Sequence, residues 1–279
     1  MGAECRDVGT VRRTKGEAMA FERVAVVTGA ASGIGRAAAE LFAERGWGVV
    51  VVDQRDDALA WAAGDDRLLA VPGDVATEAT NDAMVAAAVE HFGRLDAAVL
   101  NAGIVGSPPM EDPAAPARLD QILAVNVRGV MLGIRAAAPA LRAAGGGAIV
   151  ATASTSGLRA DPGSWAYNAS KAAVVNLVRA AALDYATHGI RVNAVAPGPT
   201  ETGMTAGLQD RPALYEDMRR RIPLQRWGTA REVAEVMWFL VSPAASFVTG
   251  VTVPCDGGVS ANAGQFTPPG APGEGRRTL

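Results

Sequence analysis

The chain reads as a single α/β domain, a doubly wound seven-stranded parallel sheet with helices on both faces. Three observations predict it. Short β-branched runs alternate with alanine-rich stretches along most of the 279 residues, which is the alternation of βα units. The strand candidates are nearly continuous apolar runs, such as Val49-Val50-Val51-Val52, as expected of strands covered on both faces. A glycine-rich turn from Thr28 to Gly35 then joins the first run directly to a helical stretch. At 49% hydrophobic residues, a chain of this length buries one large core.

The elements follow in order. Strands are expected at 23–28, 48–53, 67–71, 97–100, 148–153, 191–194 and 252–254, where Val, Ile, Leu and Ala cluster. Helices are expected at 33–45, 77–92, 118–144, 166–188 and 230–241, the first closed by Gly46 as its C-cap. Right-handed crossovers wind such a sheet in both directions, so ligands bind at the carboxyl ends of its strands. The domain is expected to run over 21–263. Residues 1–20 carry no periodicity and read as a flexible extension, with Met19 as a candidate start. Residues 264–279, rich in Pro and Gly, read as a loose tail.

Composition excludes several classes of function. A net charge of −3 gives no basic surplus of the kind a phosphate backbone selects, so nucleic acid is not an expected partner. Two cysteines and two histidines, with Cys5 and Cys255 far apart, suit neither a disulfide framework nor a metal site. Charges interrupt every apolar run before membrane-spanning length. No apolar stretch follows the basic residues near the start, and a cytoplasmic location is expected.

The turn Gly29-Ala30-Ala31-Ser32-Gly33-Ile34-Gly35 has the features of a dinucleotide site. Without side chains at Gly29, Gly33 and Gly35 the backbone turns tightly and approaches a pyrophosphate, whose charge then sits at the helix N-terminus. Asp53 lies 18 residues beyond Gly35 at the end of the second strand, where a carboxylate accepts the ribose hydroxyls and repels a 2′-phosphate. That pattern favours NAD over NADP, with Arg55 as the opposing feature. Asp74 and Val75 follow the third strand and are expected to fix the adenine, with Asp74 accepting from its amino group; Asp74 also suits the cap of the next helix, and the two roles are compatible.

Tyr167 and Lys171, in Tyr167-Asn168-Ala169-Ser170-Lys171, stand 13 and 17 residues beyond Ser154. With this pair the chain resembles the short-chain dehydrogenases/reductases, a Rossmann-type family. The likeness takes in Thr28 to Gly35, Asp74, Asn101-Ala102-Gly103, Asn126, Ser154, Tyr167, Lys171, Pro197-Gly198 and Asp256-Gly257-Gly258, nearly all of 22–258. It implies hydride transfer between NAD(H) and a secondary alcohol or ketone. Tyr167 and Lys171 are i and i+4 on one helix and share a face. A neighbouring ammonium favours the phenolate and is expected to lower the Tyr167 pKa, making the phenol a usable acid/base.

The remaining roles come from the resemblance. It places Ser154 on the substrate oxygen, with Thr152, Thr155 and Ser156 as near rivals, and gives Asn126 a proton-relay water. It puts Asn101, Ala102, Gly103, Tyr167, Lys171, Pro197, Gly198, Thr200 and Thr202 against the cofactor. The family's usual first asparagine is replaced by Leu100, from which altered packing behind the cofactor is expected. The segment from Thr202 to about Pro223 resembles a substrate lid carrying Met204, Leu208, Leu214, Tyr215 and Met218. With Ile104, Val105, Leu158 and Trp165 near the mouth, a mainly apolar pocket is expected. A homo-oligomer, a tetramer by resemblance, is expected too. The competing readings are an NADPH-dependent reductase of acyl-carrier-bound ketones, a sugar epimerase or dehydratase, and a dinucleotide-sensing protein without turnover. Asp53, the chain's length and the intact Tyr167/Lys171 pair argue against each in turn.

Overall fold

A computed structural model describes residues 21–262 and residue 268. The expected extension over 1–20 and nearly all of the tail over 264–279 lie outside the described residues. Seven parallel strands form one sheet in the order β3-β2-β1-β4-β5-β6-β9. They are β1 (Val24–Thr28), β2 (Gly48–Asp53), β3 (Leu68–Pro72), β4 (Ala97–Leu100), β5 (Gly147–Thr152), β6 (Ile190–Pro197) and β9 (Thr252–Cys255). The order reverses between β1 and β4, and the crevice at that switch point is where a doubly wound sheet takes its ligand.

Covering both faces are α1 (Gly33–Glu44), α2 (Glu78–Phe92), α3 (Ala115–Leu123), α4 (Gly129–Ala143), α6 (Trp165–Tyr185) and α9 (Ala230–Val241). The strand alternation divides the core cleanly. Val24 and Val26 belong to one cluster with Met84, Ile134 and Val178 from α2, α4 and α6. Ala25 and Val27 belong to the other, with Leu41, Phe42, Met237 and Leu240 from α1 and α9. On that second face Phe42, Trp47 and Trp238 meet edge-on at centroid distances of 5.5, 5.2 and 5.3 Å, the arrangement aromatic quadrupoles favour. Thus α1 and α9 pack together through this aromatic cluster.

The seven strands stand where expected to within a few residues. β3 begins one residue later than expected and runs on through Pro72, which an edge strand tolerates because one side needs no N–H donor. β6 is longer than expected because two neighbours prolong it: β5 pairs with Ile190 to Val195 and β9 with Ala194 to Pro197. The helix expected at 118–144 begins at Ala115 and is interrupted by a π turn, Ala124–Arg128. Asn126 lies within this π turn and is fully buried. The whole run Ala115–Ala143 has the length and hydropathy of a membrane span, yet 50% of its most apolar window is buried within the fold.

Shorter elements went unforeseen. They are the two-residue parallel pair β7 (Thr200–Glu201) and β8 (Gly228–Thr229), and the helices α5 (Thr155–Leu158), α7 (Ala206–Gln209) and α8 (Pro212–Arg221). Leu100 explains the departure noted at that position. Its Cδ2 lies 2.5 Å from where a Cβ on Gly133 would fall, so the leucine fills the space that this glycine of α4 leaves open.

Candidate active site

Three strand ends and one loop build the site. At the end of β1 the backbone turns left-handed at Gly29 (φ +68°) and Gly33 (φ +58°), a conformation that glycine adopts without penalty. A Cβ on Gly35 would lie 2.2 Å from the Gly29 carbonyl oxygen and 2.6 Å from Asn101 Nδ2. Only glycine fits there. The turn is fixed to β2 by Ala30 N–H donating to Val52 O at 3.0 Å and by Ala31 N–H donating to Asp53 Oδ2 at 3.2 Å. Ser32 precedes α1 with its hydroxyl uninvolved in capping.

Arg55 folds back over this corner. Its Nε donates to Asp53 Oδ1 at 3.4 Å and its Nη2 to Ser32 Oγ at 3.3 Å. The guanidinium therefore bridges the two residues expected to meet ribose and phosphate. Asp74 does not cap α2, because Thr77 does so by accepting from Thr80 N–H at 3.3 Å. Asp74 instead closes a small turn, accepting from Ala76 N–H at 2.9 Å.

A threonine clasp that sequence reasoning missed ties the strand ends together. Thr28 Oγ1 accepts from Asn101 N–H at 2.9 Å and Ala102 N–H at 3.1 Å, and Asn101 Nδ2 donates to Thr28 O at 3.1 Å. Thr152 Oγ1 donates to Asn101 Oδ1 at 3.0 Å. Side-chain bonds to backbone of this kind leave no sequence pattern to find. Across the crevice, Thr205 Oγ1 donates to Thr200 O at 2.8 Å and accepts from Thr202 N–H at 3.0 Å. This holds Thr202 Cβ within 3.3 Å of where a Cβ on Gly33 would stand. Gly198 packs on Asp256, whose Cβ leaves 2.6 Å for any side chain at that position.

The result is a cleft of about 720 Å³. It is lined by Gly29, Ser32, Gly33, Ile34, Asp53, Asp74, Val75, Asn101, Ala102, Gly103, Pro197, Gly198, Thr200 and Thr202, together with Ser154, Tyr167 and Lys171. Gly35 and Asn126 stand behind the wall rather than in it. Ile104, Val105 and Met204 reach the cleft as expected, whereas Leu158, Trp165, Leu208, Leu214, Tyr215 and Met218 do not line it. Trp165 is drawn away by its Nε1–H donating to Pro108 O at 2.8 Å. Tyr215 stacks on Trp227 at 4.6 Å and 4° and donates its hydroxyl to Glu201 at 2.7 Å.

The end of the cleft that holds Ser154 and Lys171 is deeply buried. Lys171 Nζ donates to Thr152 O at 2.7 Å and lies 5.7 Å from the centroid of the Tyr167 ring. Desolvation lowers its pKa to about 8. The expected lowering of the Tyr167 pKa is not what this chain produces. Burial pushes the phenol up, opposed by a hydrogen bond from Ser154 and reinforced by the negative charge of Asp161. Lys171 does not offset this rise: its ammonium is desolvated and bound to Thr152 O. Ser154 Oγ accepts from Ser156 N–H at 3.1 Å, which leaves its own proton free for the phenol or a substrate oxygen. Asn126 Oδ1 accepts from Ile104 N–H at 2.8 Å, while its Nδ2 donates to Ile104 O and Ser170 Oγ, both at 3.0 Å. Both ends of its amide are satisfied, and it holds the loop that carries Gly103 and Ile104.

Known proteins match this arrangement over most of the chain. A family profile described as enoyl-(acyl carrier protein) reductase matches residues 29–260. A 2-(R)-hydroxypropyl-CoM dehydrogenase of Xanthobacter autotrophicus is 42% identical over 255 residues, 86% of this chain and 100% of that protein. The chain belongs to the short-chain dehydrogenase/reductase family. Among solved structures, a 3-ketoacyl-(acyl-carrier-protein) reductase of Brucella melitensis complexed with NADH is 37% identical, with a TM-score of 0.79, covering 86% of this chain and 99% of that one. A gluconate 5-dehydrogenase of Burkholderia cenocepacia in complex with NADP and tartrate is 32% identical, with a TM-score of 0.81, covering 87% and 96%. This member of the family is an oxidoreductase of alcohols and ketones that uses a nicotinamide dinucleotide. Its residues fit that group: the cradle at Gly29 and Gly35 admits no Cβ, and Asp53 and Ser32 stand at its rim.

Proposed function

We propose that the protein interconverts a secondary alcohol and its ketone with NAD(H), using Tyr167 as acid/base, Lys171 and Ser154 as its partners and Asn126 as support. The observation that carries this reading is the convergence of Ser154, Tyr167 and Lys171 on the same cleft as Asp53 and the glycine-rich turn. When bound there, the nicotinamide accepts or returns the hydride. Tyr167 takes the alcohol proton in oxidation and gives it back in reduction. Ser154, with its oxygen already holding Ser156 N–H, donates to the substrate oxygen where negative charge develops.

Lys171 keeps a positive charge beneath the phenol, and Thr152 O fixes it there. Asn126 supports the reaction from behind by holding Ile104 in place. The substrate is proposed to be uncharged and mainly apolar. Ile104, Val105 and Met204 supply apolar wall, and the lining cations are already engaged. Arg55 binds Asp53 and Ser32, Arg118 binds the Gly106 and Val105 carbonyls, and Lys171 binds Thr152.

NAD is favoured over NADP because Asp53 lies at the end of β2 with a carboxylate that a 2′-phosphate would meet directly. Dissociation constants for NADH and NADPH, measured by protein fluorescence for wild type and Asp53→Ala, test this. Tighter NADH binding that the substitution erodes is the expected result. Tighter NADPH binding by the wild type overturns it and favours the second reading, a carrier-linked reductase, which the description of the matched profile supports. A homo-oligomer is proposed as well, on the ground that Phe239, Phe247 and Val251 are exposed beside the terminal strand β9.

A further inference from the structure

The apolar wall of the cleft comes from a stretch of chain with no secondary structure of its own. Residues 101–109 lead from β4 toward α3, and from Gly103 to Pro108 they make no backbone–backbone hydrogen bond among the described residues. Ile104 and Val105 of this stretch line the cleft, and a Cβ on Gly103 would stand 3.4 Å from Lys171 Nζ. Side chains of three other elements carry the loop instead. Asn126 of the π turn holds both the N–H and the carbonyl of Ile104. Arg118 of α3 donates from Nε to Gly106 O at 2.8 Å and from Nη2 to Val105 O. Trp165, the first residue of α6, donates from Nε1 to Pro108 O at 2.8 Å, and the N–H of Ala166 donates to Ser107 Oγ at 3.3 Å.

We propose that Arg118 and Trp165 are positioning residues of this site, two straps that hold Ile104 and Val105 as a fixed wall and so set which ketones fit. The inference rests on the dehydrogenase reading and deepens it by naming what fixes its substrate wall. One guanidinium serves two consecutive carbonyls across Gly106, which adopts φ +98°, a left-handed turn that glycine makes readily. Bonds from a charged donor are the stronger kind, and a third one, from Arg118 Nη1 to Gln121 Oε1 at 3.2 Å, steadies the side chain on its own helix.

Trp165 ties the other end of the loop to the helix of the proposed acid/base, because it stands two residues before Tyr167 on α6. The wall and the phenol therefore share one support. A wall of this kind meets the apolar body of a ketone rather than its oxygen, and it does so equally before and during the reaction. Loosening it weakens ground-state and transition-state binding together, which raises KM and leaves kcat in place.

The test is steady-state reduction of cyclohexanone, 2-pentanone and 4-oxopentanoate with NADH by wild type, Arg118→Met, Arg118→Lys and Trp165→Phe. Arg118→Met keeps the stem and removes the fork, and Trp165→Phe keeps a ring and removes the N–H. For the two uncharged ketones, KM is expected to rise about tenfold in Arg118→Met, the loss of one charge-assisted contact, while kcat stays within about threefold. Arg118→Lys, with a donor for one carbonyl, and Trp165→Phe, with one neutral bond lost, should each raise KM by about threefold. The preference between the two ketones, read as the ratio of their kcat/KM values, should narrow in Arg118→Met. A folded Arg118→Met protein with the wild-type KM and preference overturns the proposal. So does a loss confined to 4-oxopentanoate, which would make Arg118 a direct partner of a substrate carboxylate. Should no ketone be turned over, the dehydrogenase reading fails by itself, and thermolysin cleavage of the folded proteins still decides whether the straps hold the loop. That protease cuts before Ile, Val and Met, the residues found at Ile104, Val105 and Met110. Faster cleavage within 103–110 in Arg118→Met and Trp165→Phe, mapped by mass spectrometry, supports the proposal, and the wild-type rate in both overturns it.

Discussion

Lys171 donates to the carbonyl oxygen of Thr152 at 2.7 Å, at the end of β5. The same threonine's hydroxyl donates to Asn101 at the end of β4, and Asn101 is in turn bound to Thr28 at the end of β1. The ammonium at the reacting end is thus anchored in the hydrogen-bond clasp that shapes the dinucleotide end.

The first consequence concerns stability and pH. Burial takes Lys171 from its ordinary 10.5 to about 8, so between those values the unfolded chain holds a proton that the folded chain has released. The contribution of this group to stability is therefore poorest below about pH 8. It recovers as pH rises toward that of a free lysine, by up to about 3 kcal/mol. Denaturant unfolding of wild type and Lys171→Met at about pH 7 and about pH 10 measures it. Wild type should gain on the variant at the higher pH, and a constant difference contradicts the account.

Arg55 is the cation nearest the corner where the two dinucleotides differ. Its bonds to Asp53 and Ser32 are exposed and individually weak, so the guanidinium can exchange them for a bond to a 2′-phosphate. In Arg55→Ala, NADPH affinity is expected to fall by about tenfold, the loss of one charge-assisted contact. NADH affinity should change by less than about threefold. Fluorescence titration with each dinucleotide reads both numbers.

Arg191 is a purely structural prediction. Its guanidinium donates to the carbonyls of Leu240, Val241, Ser242 and Val248, with the Leu240 contact at 2.6 Å. It thereby satisfies the C-terminal end of α9, where helix carbonyls have no internal partner. Arg191→Ala should lower stability by about 2 to 4 kcal/mol, read from thermal unfolding. Dinucleotide affinity at a temperature where the variant is folded should remain that of the wild type.

Much of this was legible beforehand. The strands could be read because runs such as Val49 to Val52 are too apolar and too short for anything but a covered sheet, and the turn at Gly29 to Gly35 because glycine is the residue such a backbone demands. What escaped was the geometry of single side chains. The π turn at Asn126, whose buried amide binds the Ile104 backbone, is a feature that periodicity does not encode. The two-residue strands β7 and β8 are held by a bond from Gly228 N–H to Pro199 O and by Thr205, single contacts that two residues are too few to signal by any pattern. The expectation for Tyr167 failed on sign because sequence shows that Lys171 shares its helix face, but not that burial and Asp161 outweigh it. Trp165 and Tyr215, apolar residues in the right segments, turn elsewhere for the sake of one hydrogen bond each.

In the proposed reaction Tyr167 moves the proton while NADH supplies the hydride. It is tested most directly by NADH consumption with a panel of uncharged cyclic and acyclic ketones, comparing wild type with Tyr167→Phe. Turnover by the wild type is expected, with a loss of about 10²- to 10⁴-fold in kcat in the variant, the usual worth of a positioned acid, and with NADH affinity kept within about threefold. A variant that reduces the same ketone at the wild-type rate would contradict it.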